Sequence, residues 1–393
     1  MTKSGSHGEP IIVAGGGIGG FAVALALARK GRPVKIFEQA PAFTEVGAGI
    51  QMAPNAFKVF ERLGVDEAIK RVAGYPESLL LRDAISGEKV IEIPLQEQIK
   101  DRFGYPYAVV HRADLLDVLI KAAKETGLVE TNTSTRITDF VECDDGVKVT
   151  VDGVGEVRGA ALIGADGLWS VIRQKIIGDG APEMLRHIIF RGVVPINEVP
   201  EELRSKSVTI WGGAKCHFSH YQLRDGSLFN MGAIFHSDIY HEGMPPEELI
   251  PEVNDSFANA CPQVQTLLRR LDYSRIWLLQ DRPPIENWSK GRVTLIGDAA
   301  HPMVHYLAQG ATMAMEDAVC LADEMDETED FSSAFSKYQS KRYVRTARVQ
   351  LTARFYGEVY HAAGPAREMR REMIGNRSPE KSYESLSWLF DGI

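Results

Sequence analysis

Residues 11–40 read IIVAGGGIGGFAVALALARKGRPVKIFEQA, and this stretch decides the fold. Its first three residues are apolar and predict a short buried strand of a parallel sheet. Residues 21–29 are rich in Ala and Leu and predict a helix that ends at the Lys-Gly pair beyond it. Residues 34–37 predict a second strand, with Glu38 at its end. This order of strand, helix and strand is typical of a Rossmann-like α/β domain.

Three glycines between the first strand and the helix have the spacing G-x-G-x-x-G. Gly15 allows the tight turn, Gly17 lets the backbone approach a pyrophosphate, and Gly20 lets the helix pack close to the strand. The free N–H groups at the helix N-terminus favour phosphate groups. Glu38 can accept hydrogen bonds from a ribose 2′-hydroxyl. The stretch therefore predicts a site for a dinucleotide without a 2′-phosphate, such as FAD or NAD.

The composition excludes several classes of partner. The chain has 44 Lys and Arg against 53 Asp and Glu, a net charge of −9, and no basic cluster, so nucleic acid and anionic membranes are not expected partners. Residues 21–28 are too few to span a bilayer, and residues 1–10 lack the apolar core of a signal peptide. The cysteines lie far apart, without metal-ligand spacing, which predicts reduced thiols, no metal site and a cytoplasmic location.

Two later turns follow predicted strands and have the character of ligand sites. The first reads GADG at residues 164–167 and opens a helix, and it predicts either a dinucleotide contact or only a tight loop. The second, Gly297-Asp298, lies at the carboxyl end of a strand, where ligands bind in open α/β sheets. Asp298 can accept hydrogen bonds from polyol hydroxyls. A predicted helix begins near Gly310 and Ala311, and its free N–H groups and its dipole favour negative charge.

The middle of the chain has a different character. Residues 181–281 contain short β-branched and aromatic runs between turns, which predict an antiparallel sheet with a helical insert near residues 246–270. Asn55 is expected to cap a helix that runs to Leu63. The predicted division is a nucleotide-binding domain of residues 1–77, 103–180 and 282–330, a sheet domain of residues 78–102 and 181–281, and a helical region of residues 331–393.

These motifs, in this order and over nearly the whole chain, resemble those of the class A flavoprotein aromatic monooxygenases, which are single-component FAD enzymes with the p-hydroxybenzoate hydroxylase fold. The shared motifs are G-x-G-x-x-G with Glu38, Asp166-Gly167 with Arg173, and Gly297-Asp298 with His301-Pro302. The resemblance implies an α/β fold in which a Rossmann-like FAD-binding domain carries an inserted antiparallel β-sheet substrate domain and a C-terminal helical segment. It also implies non-covalent FAD, NADH rather than NADPH, and O2.

The resemblance assigns roles to individual residues. It implies that Glu38 binds the adenosine ribose, that Arg112 and Asp298 contact the FAD, and that the Asp166 region serves FAD and the passing nicotinamide. The FAD-binding residues that it implies are Gly15, Gly17, Gly20, Glu38, Gln51, Arg112, Asp166, Asp298, Pro302, Gly310 and Ala311. The catalytic residues that it implies are His217, Tyr221 and His305.

The segment KCHFSHY at residues 215–221 predicts the strand that carries the chemistry. Alternation places His217, Ser219 and Tyr221 on one face, with Cys216, Phe218 and His220 on the other. His217 and Tyr221 are roughly 13 Å apart along such a strand, enough to bracket a small aromatic acid. Histidine has an ordinary pKa of about 6.5, which suits it to accept a phenolic proton. A sheet face with only local hydrogen bonds is the alternative.

Within the class, EVGAGIQMAPN at residues 45–55 and DRPPIENW at residues 281–288 resemble the 3-hydroxybenzoate 6-hydroxylases. The resemblance implies para hydroxylation of 3-hydroxybenzoate to gentisate through a flavin C4a-hydroperoxide, in a possible homodimer. One position departs, because His305 stands where those enzymes carry a Gln. Two alternatives stay open. One is decarboxylative hydroxylation, as in salicylate or 6-hydroxynicotinate monooxygenases, and the other is a non-oxygenating FAD-binding protein.

Overall fold

The structure is a computed structural model that describes residues 8–44 and 48–392. The start of the EVGAGIQMAPN segment, residues 45–47, lies outside the described residues. In the described chain the strands are β1 (Ile11–Ala14), β2 (Val34–Phe37), β3 (Gly49–Met52), β4 (Ser78–Asp83), β5 (Lys89–Pro94), β6 (Ala108–His111), β7 (Val129–Asn132), β8 (Ile137–Cys143), β9 (Gly146–Val151), β10 (Gly155–Gly159), β11 (Ala161–Gly164), β12 (Glu183–Pro195), β13 (Val208–Gly213), β14 (Cys216–Leu223), β15 (Leu228–His236), β16 (Asp272–Asp281), β17 (Ser289–Lys290) and β18 (Val293–Leu295).

The helices alternate with these strands in the first half of the chain and dominate its end. They are α1 (Ile18–Arg29), α2 (Pro54–Leu63), α3 (Asp66–Lys70), α4 (Glu97–Phe103), α5 (Arg112–Glu125), α6 (Val171–Ile176), α7 (Ile250–Ser256), α8 (Pro262–Leu268), α9 (Gly310–Glu327), α10 (Phe331–Tyr360), α11 (Pro365–Ile374) and α12 (Pro379–Phe390). Helices α7 and α8 form the helical insert, as predicted.

Two large sheets organise the fold. The first has the order β17-β18-β11-β1-β2-β7 and is parallel except at β17, so the predicted βαβ unit lies at its centre. The second has the order β16-β12-β15-β14-β13-β4-β5 and is antiparallel except where β13 meets β4. The mixed α/β fold with a C-terminal helical segment is confirmed. The domain division stays a prediction, although β4 and β5 do join the sheet of residues 183–281.

Helix α1 is buried on almost every side, and its neighbours show why. Its residues from Phe21 to Ala28 are all enclosed, because the helix packs between the parallel sheet and helix α9. The 30-residue helix α10 then packs against α9 and ends over the second sheet. The C-terminal region therefore covers the first domain.

One expectation about capping is wrong. Asn55 does not cap helix α2, because the helix begins one residue earlier at Pro54, which suits a first helical position. The side chain of Asn55 is buried instead and donates to Gln309 and Glu316, at 2.9 and 3.0 Å. An amide in this position ties α2 to the beginning of α9.

Among the described residues, we find no helix long and apolar enough to cross a membrane.

Candidate active site

A cavity of about 410 Å³ lies between the two large sheets. One wall comes from the turns that follow β1, β11 and β18, together with the beginning of α9. The opposite wall is the face of the second sheet at β12, β14 and β15. The cavity therefore lies at the carboxyl ends of parallel strands, where open α/β sheets bind ligands.

The glycine turn has the geometry that dinucleotide binding requires. Gly15 has a φ of +103°, and a Cβ added to Gly20 would lie 2.0 Å from the Gly15 carbonyl oxygen. Any side chain at these two positions would strain the turn or push α1 away from β1. A Cβ on Gly17 would meet nothing within 4 Å, because Gly17 faces the cavity at the N-terminus of α1. This open cradle beside a helix N-terminus fits a pyrophosphate.

Glu38 closes the same turn from the end of β2. Its carboxylate accepts hydrogen bonds from the backbone N–H groups of Gly16 and Ala40, at 2.7 and 2.8 Å. These contacts fix the carboxylate beside the glycine turn, where a ribose attached to the pyrophosphate must pass. The ribose contact itself stays a prediction.

The GADG turn differs from its predicted role in one respect. The carboxylate of Asp166 accepts from the Ser170 hydroxyl at 2.5 Å and from the Val171 backbone N–H at 2.8 Å, so it serves its own helix, and burial raises its pKa. Its neighbours Ala165 and Gly167 line the cavity instead. The turn thus reaches the site through its backbone.

The spacing of Asp166 and Arg173 has a structural meaning here. Arg173 is fully buried, and its guanidinium donates to the carbonyl oxygens of Ala299 and Ala300, at 2.9 and 2.7 Å. It also pairs with Asp179 at 2.6 Å. Arg173 therefore joins the GADG turn to the loop that follows Gly297-Asp298, and it does not face the ligand.

The predicted residues of the third turn, Gly297-Asp298, and of the loop after it do not all line the cavity. Asp298, Gly310 and Ala311 line the cavity, and α9 begins at Gly310. Pro302 is buried and is not among the lining residues in the described chain; its carbonyl oxygen accepts from Gln350 at 2.8 Å. The predicted FAD contact of Pro302 therefore has no support from its position.

A buried ionic group holds this turn in place. The His301 Nε2 atom lies 2.5 Å from Asp317 Oδ2, which also accepts from the Gly297 N–H, and Asp317 Oδ1 accepts from Arg342. Burial alone would raise the pKa of Asp317, but His301 and Arg342 outweigh it and lower that pKa. His301 therefore holds the loop through Asp317.

Gln51 and Arg112 complete the wall on the nucleotide side. Both line the cavity, and the Gln51 amide oxygen accepts from the Tyr107 hydroxyl at 2.5 Å. Arg112 begins helix α5, and its backbone N–H donates to the Ala48 carbonyl oxygen at 3.0 Å. Their positions agree with the predicted contacts to the cofactor.

The opposite wall consists of three rows of side chains that cross the second sheet. The pairing of β12, β15 and β14 gives the rows Ile189–Ile234–His217, Arg191–Gly232–Ser219 and Val193–Asn230–Tyr221. On the other face of β14, Phe218 is fully buried and His220 stacks on Phe229 with ring centroids 5.0 Å apart. The predicted alternation of the strand is therefore confirmed.

The three predicted catalytic residues lie together, but at different depths. Tyr221 and His305 line the cavity, whereas His217 is only 3% exposed and lies beside His305, with ring centroids 6.1 Å apart. Burial and neighbouring histidines hold the pKa of His217 well below 6.5. Burial and the nearby Arg191 lower the pKa of His305 to about 3. Both imidazoles are therefore neutral at neutral pH.

One residue of this wall, Arg191, was not predicted from the sequence. Arg191 lines the cavity from the central row, and its guanidinium lies 4.9 Å from the centre of the Trp277 ring. No Asp or Glu of residues 8–44 and 48–392 lies within ion-pairing distance of it. Burial and the nearby Arg112 lower its pKa. The available signal was a single charge in the otherwise apolar run HIIFRGVVP.

These features together define a flavoprotein monooxygenase: the glycine turn, the Gly297-Asp298 turn, and the polar side chains of the second sheet that face them. The chain belongs to the FAD binding domain family, which matches residues 9–350. FAD is therefore its cofactor, and the open cradle at Gly17 beside the N-termini of α1 and α9 fits it.

Similar proteins share almost the full length of the chain. The 3-hydroxybenzoate 6-hydroxylase of Polaromonas naphthalenivorans (strain CJ2) is 45% identical over 383 residues, which cover 97% of this chain and 95% of that protein. The 3-hydroxybenzoate 6-hydroxylase 1 of Aquipseudomonas alcaligenes is 42% identical over 385 residues, 97% of each chain. Among solved structures, Klebsiella pneumoniae HpxO complexed with FAD and uric acid has a TM-score of 0.87 at 26% identity, covering 98% of this chain and 97% of that one.

Proposed function

We propose that this protein hydroxylates 3-hydroxybenzoate para to its phenol and produces gentisate, with NADH as the reductant and O2 as the oxidant. The similar hydroxylases of Polaromonas naphthalenivorans and Aquipseudomonas alcaligenes, which are named for 3-hydroxybenzoate, support this substrate. The observation in the structure that carries it is Arg191, a cavity-lining cation without a carboxylate partner in the described chain, one row away from His217.

The rows of the second sheet match the polar groups of this substrate. We place the carboxylate against Arg191 and Ser219, because a planar guanidinium binds carboxylates in a bidentate manner. The row that contains His217 lies ~6.6 Å away along β14. This spacing is comparable to the distance from the carboxylate to the phenol oxygen across a benzene ring. The phenol then lies against His217 and His305.

The side chains supply proton transfer and exclusion of water. When bound, FAD supplies electron transfer from NADH and the activation of O2. A neutral imidazole at His217 can accept the phenolic proton, and the phenolate then carries charge to its ortho and para carbons. Tyr221, whose pKa burial raises, stays protonated and donates a hydrogen bond that orients the ring. The apolar pair Ile189 and Ile234 limits access of water.

Location and assembly are part of the proposal. We infer a cytoplasmic location, in agreement with the described cysteines, which form no disulfide. We infer a homodimer from helix α10, where Val344, Leu351 and Phe355 are more than half exposed and recur at helical spacing.

Oxygen uptake with a panel of aromatic acids tests the substrate. With FAD-loaded enzyme, 3-hydroxybenzoate should couple NADH oxidation to O2 uptake, and NADPH should be the poorer reductant. Benzoate, which lacks the phenol, and 3-hydroxybenzamide, which lacks the charge, should each fall by roughly 10²-fold or more in kcat/KM, because each leaves a buried polar partner unpaired. A clear preference for 6-hydroxynicotinate would contradict the proposal.

A further inference from the structure

A cluster of imidazole and phenol side chains lies directly behind the cavity wall. This histidine cluster comprises His187, His217, His236, His305, His361, Tyr306 and Tyr360. Its members come from β12, β14, β15, the loop before α9, and the end of α10. The five histidine rings neighbour one another in a row, which exceeds what binding one phenol requires.

The rings of the cluster form a row from the cavity toward the surface. His305 lines the cavity and neighbours His217, whose Nδ1 lies 2.8 Å from the Nε2 of His361. The ring centroids of His361 and His187 are 5.1 Å apart, and those of His187 and His236 are 5.7 Å apart. The side chain of His236 is 28% exposed and lies 3.4 Å from the exposed Asp238. The row of rings therefore reaches the surface at the partly exposed His236.

His361 is the link that comes from the C-terminal region. It directly follows α10, where its backbone N–H donates to the Gly357 carbonyl oxygen at 3.0 Å. Its own carbonyl oxygen accepts from the Lys215 N–H at 3.2 Å, which ties the helix end to the turn before β14. The family match ends at residue 350, so His361 lies outside the part of the chain that defines the family.

We propose that His361 is a positioning residue that fixes the tautomer of His217 and receives the substrate proton from it, so that the proton leaves through His187 and His236 to solvent. This inference rests on the proposed function in one respect, namely that the substrate is a phenol. Because the Nδ1 of His217 is held by His361, its Nε2 is the nitrogen left to meet the phenol.

The transfer balances in protons and charge. The phenol O–H bond breaks and its proton forms an N–H bond at His217 Nε2. The proton on His217 Nδ1 moves to His361 Nε2. The products are a phenolate, a neutral His217 and a protonated His361, which then releases its Nδ1 proton toward His187. No electron moves, and no further reactant is needed.

The surroundings of the cluster favour release of the proton. Burial, and then the neighbouring histidines, lower the pKa of His361 to about 3 and that of His187 to about 4. Neither His361 nor His187 therefore retains the proton at neutral pH. Tyr306 donates to or accepts from His187 Nδ1 at 2.7 Å, which holds that ring in place along the route.

Two variants separate proton transfer from packing. His361→Gln keeps a hydrogen-bonding group near the position of Nε2 but cannot take up a proton, and His361→Leu removes both functions. His220→Gln is the matched control, because His220 is also buried on β14 but faces away from the cavity. FAD content and probe affinity are measured first and should be unchanged in His361→Gln.

The deciding measurement is a stopped-flow rate with 3-hydroxy-4-nitrobenzoate, whose phenolate absorbs visible light. In both His361 variants the bound phenolate should appear roughly 10²-fold more slowly than in the wild type, whereas the His220 control should match the wild type. If His361→Leu fails to load FAD, His361→Gln decides alone. A His361→Gln rate within twofold of the wild type would overturn the proposal.

Failure of this inference is distinguishable from failure of the proposed function. The probe is a carboxylated phenol and reports proton release without any turnover. If the wild type makes no gentisate but its phenolate rate depends on His361, the substrate assignment is wrong and the proton route stands. If gentisate forms and the rate does not depend on His361, the route alone is wrong.

Discussion

Replacing His217 with alanine should lower kcat for hydroxylation of 3-hydroxybenzoate by roughly 10²–10⁴-fold, the usual loss when a general base is removed. His217 is nearly fully buried, neutral, and held through Nδ1 by His361. Water from bulk solvent therefore does not readily take over its role as the base. The variant should still bind FAD, because His217 lies in the second sheet and the nucleotide turns lie in the first.

The matched control for this prediction is His220→Ala on the opposite face of the same strand. It removes a buried imidazole of the same size from β14, stacked on Phe229 and not facing the cavity. Single-turnover product formation, with peroxide measured in parallel, is the readout. His217→Ala should form little gentisate and waste NADH as peroxide. Equal product yields in the two variants would remove His217 from the catalytic residues.

The second large effect concerns Arg191. Arg191→Met should raise KM for 3-hydroxybenzoate by roughly 10²–10³-fold, because breaking a buried ion pair by removing one partner costs about 3–5 kcal/mol. The loss should appear mainly in KM, since the carboxylate is bound in the ground state and in the transition state alike. For 3-hydroxybenzamide, which carries no charge, the same variant should show little change.

Arg275→Met is the matched control for Arg191→Met. Arg275 also lies over Trp277, 4.1 Å from the ring centre, but it does not line the cavity. The two substitutions remove the same charge and the same cation–π contact on one indole ring. Steady-state kinetics with the acid and the amide compare them directly. A KM for the acid that rises equally in both variants would exclude Arg191 as the specific carboxylate site.

The parts of the fold that local rules determine could be predicted from the sequence. The strand–helix–strand order of residues 11–40 follows from hydrophobic periodicity, and the glycine spacing follows from backbone geometry that admits no Cβ. The alternation along residues 215–221 follows from the two-residue period of a strand, so Tyr221 was correctly placed facing the cavity.

The parts that depend on long-range packing could not be predicted. His217 and His361 are 144 residues apart, and only the length and direction of helix α10 bring their rings together. Asn55 resembles a cap in the sequence, but its partners Gln309 and Glu316 lie on distant elements. Asp166 belongs to a recognisable motif, yet three local hydrogen bonds turn its carboxylate toward its own helix.

We expect the cavity to hold a phenolic acid by its carboxylate, and the enzyme to hydroxylate it para to the phenol. The most direct test supplies carboxyl-labelled 3-hydroxybenzoate to the FAD-loaded enzyme with NADH and isotopically labelled O2, and identifies the product by mass spectrometry. The prediction is a gentisate product that keeps the carboxyl label and gains one labelled oxygen atom for each NADH consumed. Release of the carboxyl label as CO2 would contradict it and assign the enzyme to the decarboxylative hydroxylases.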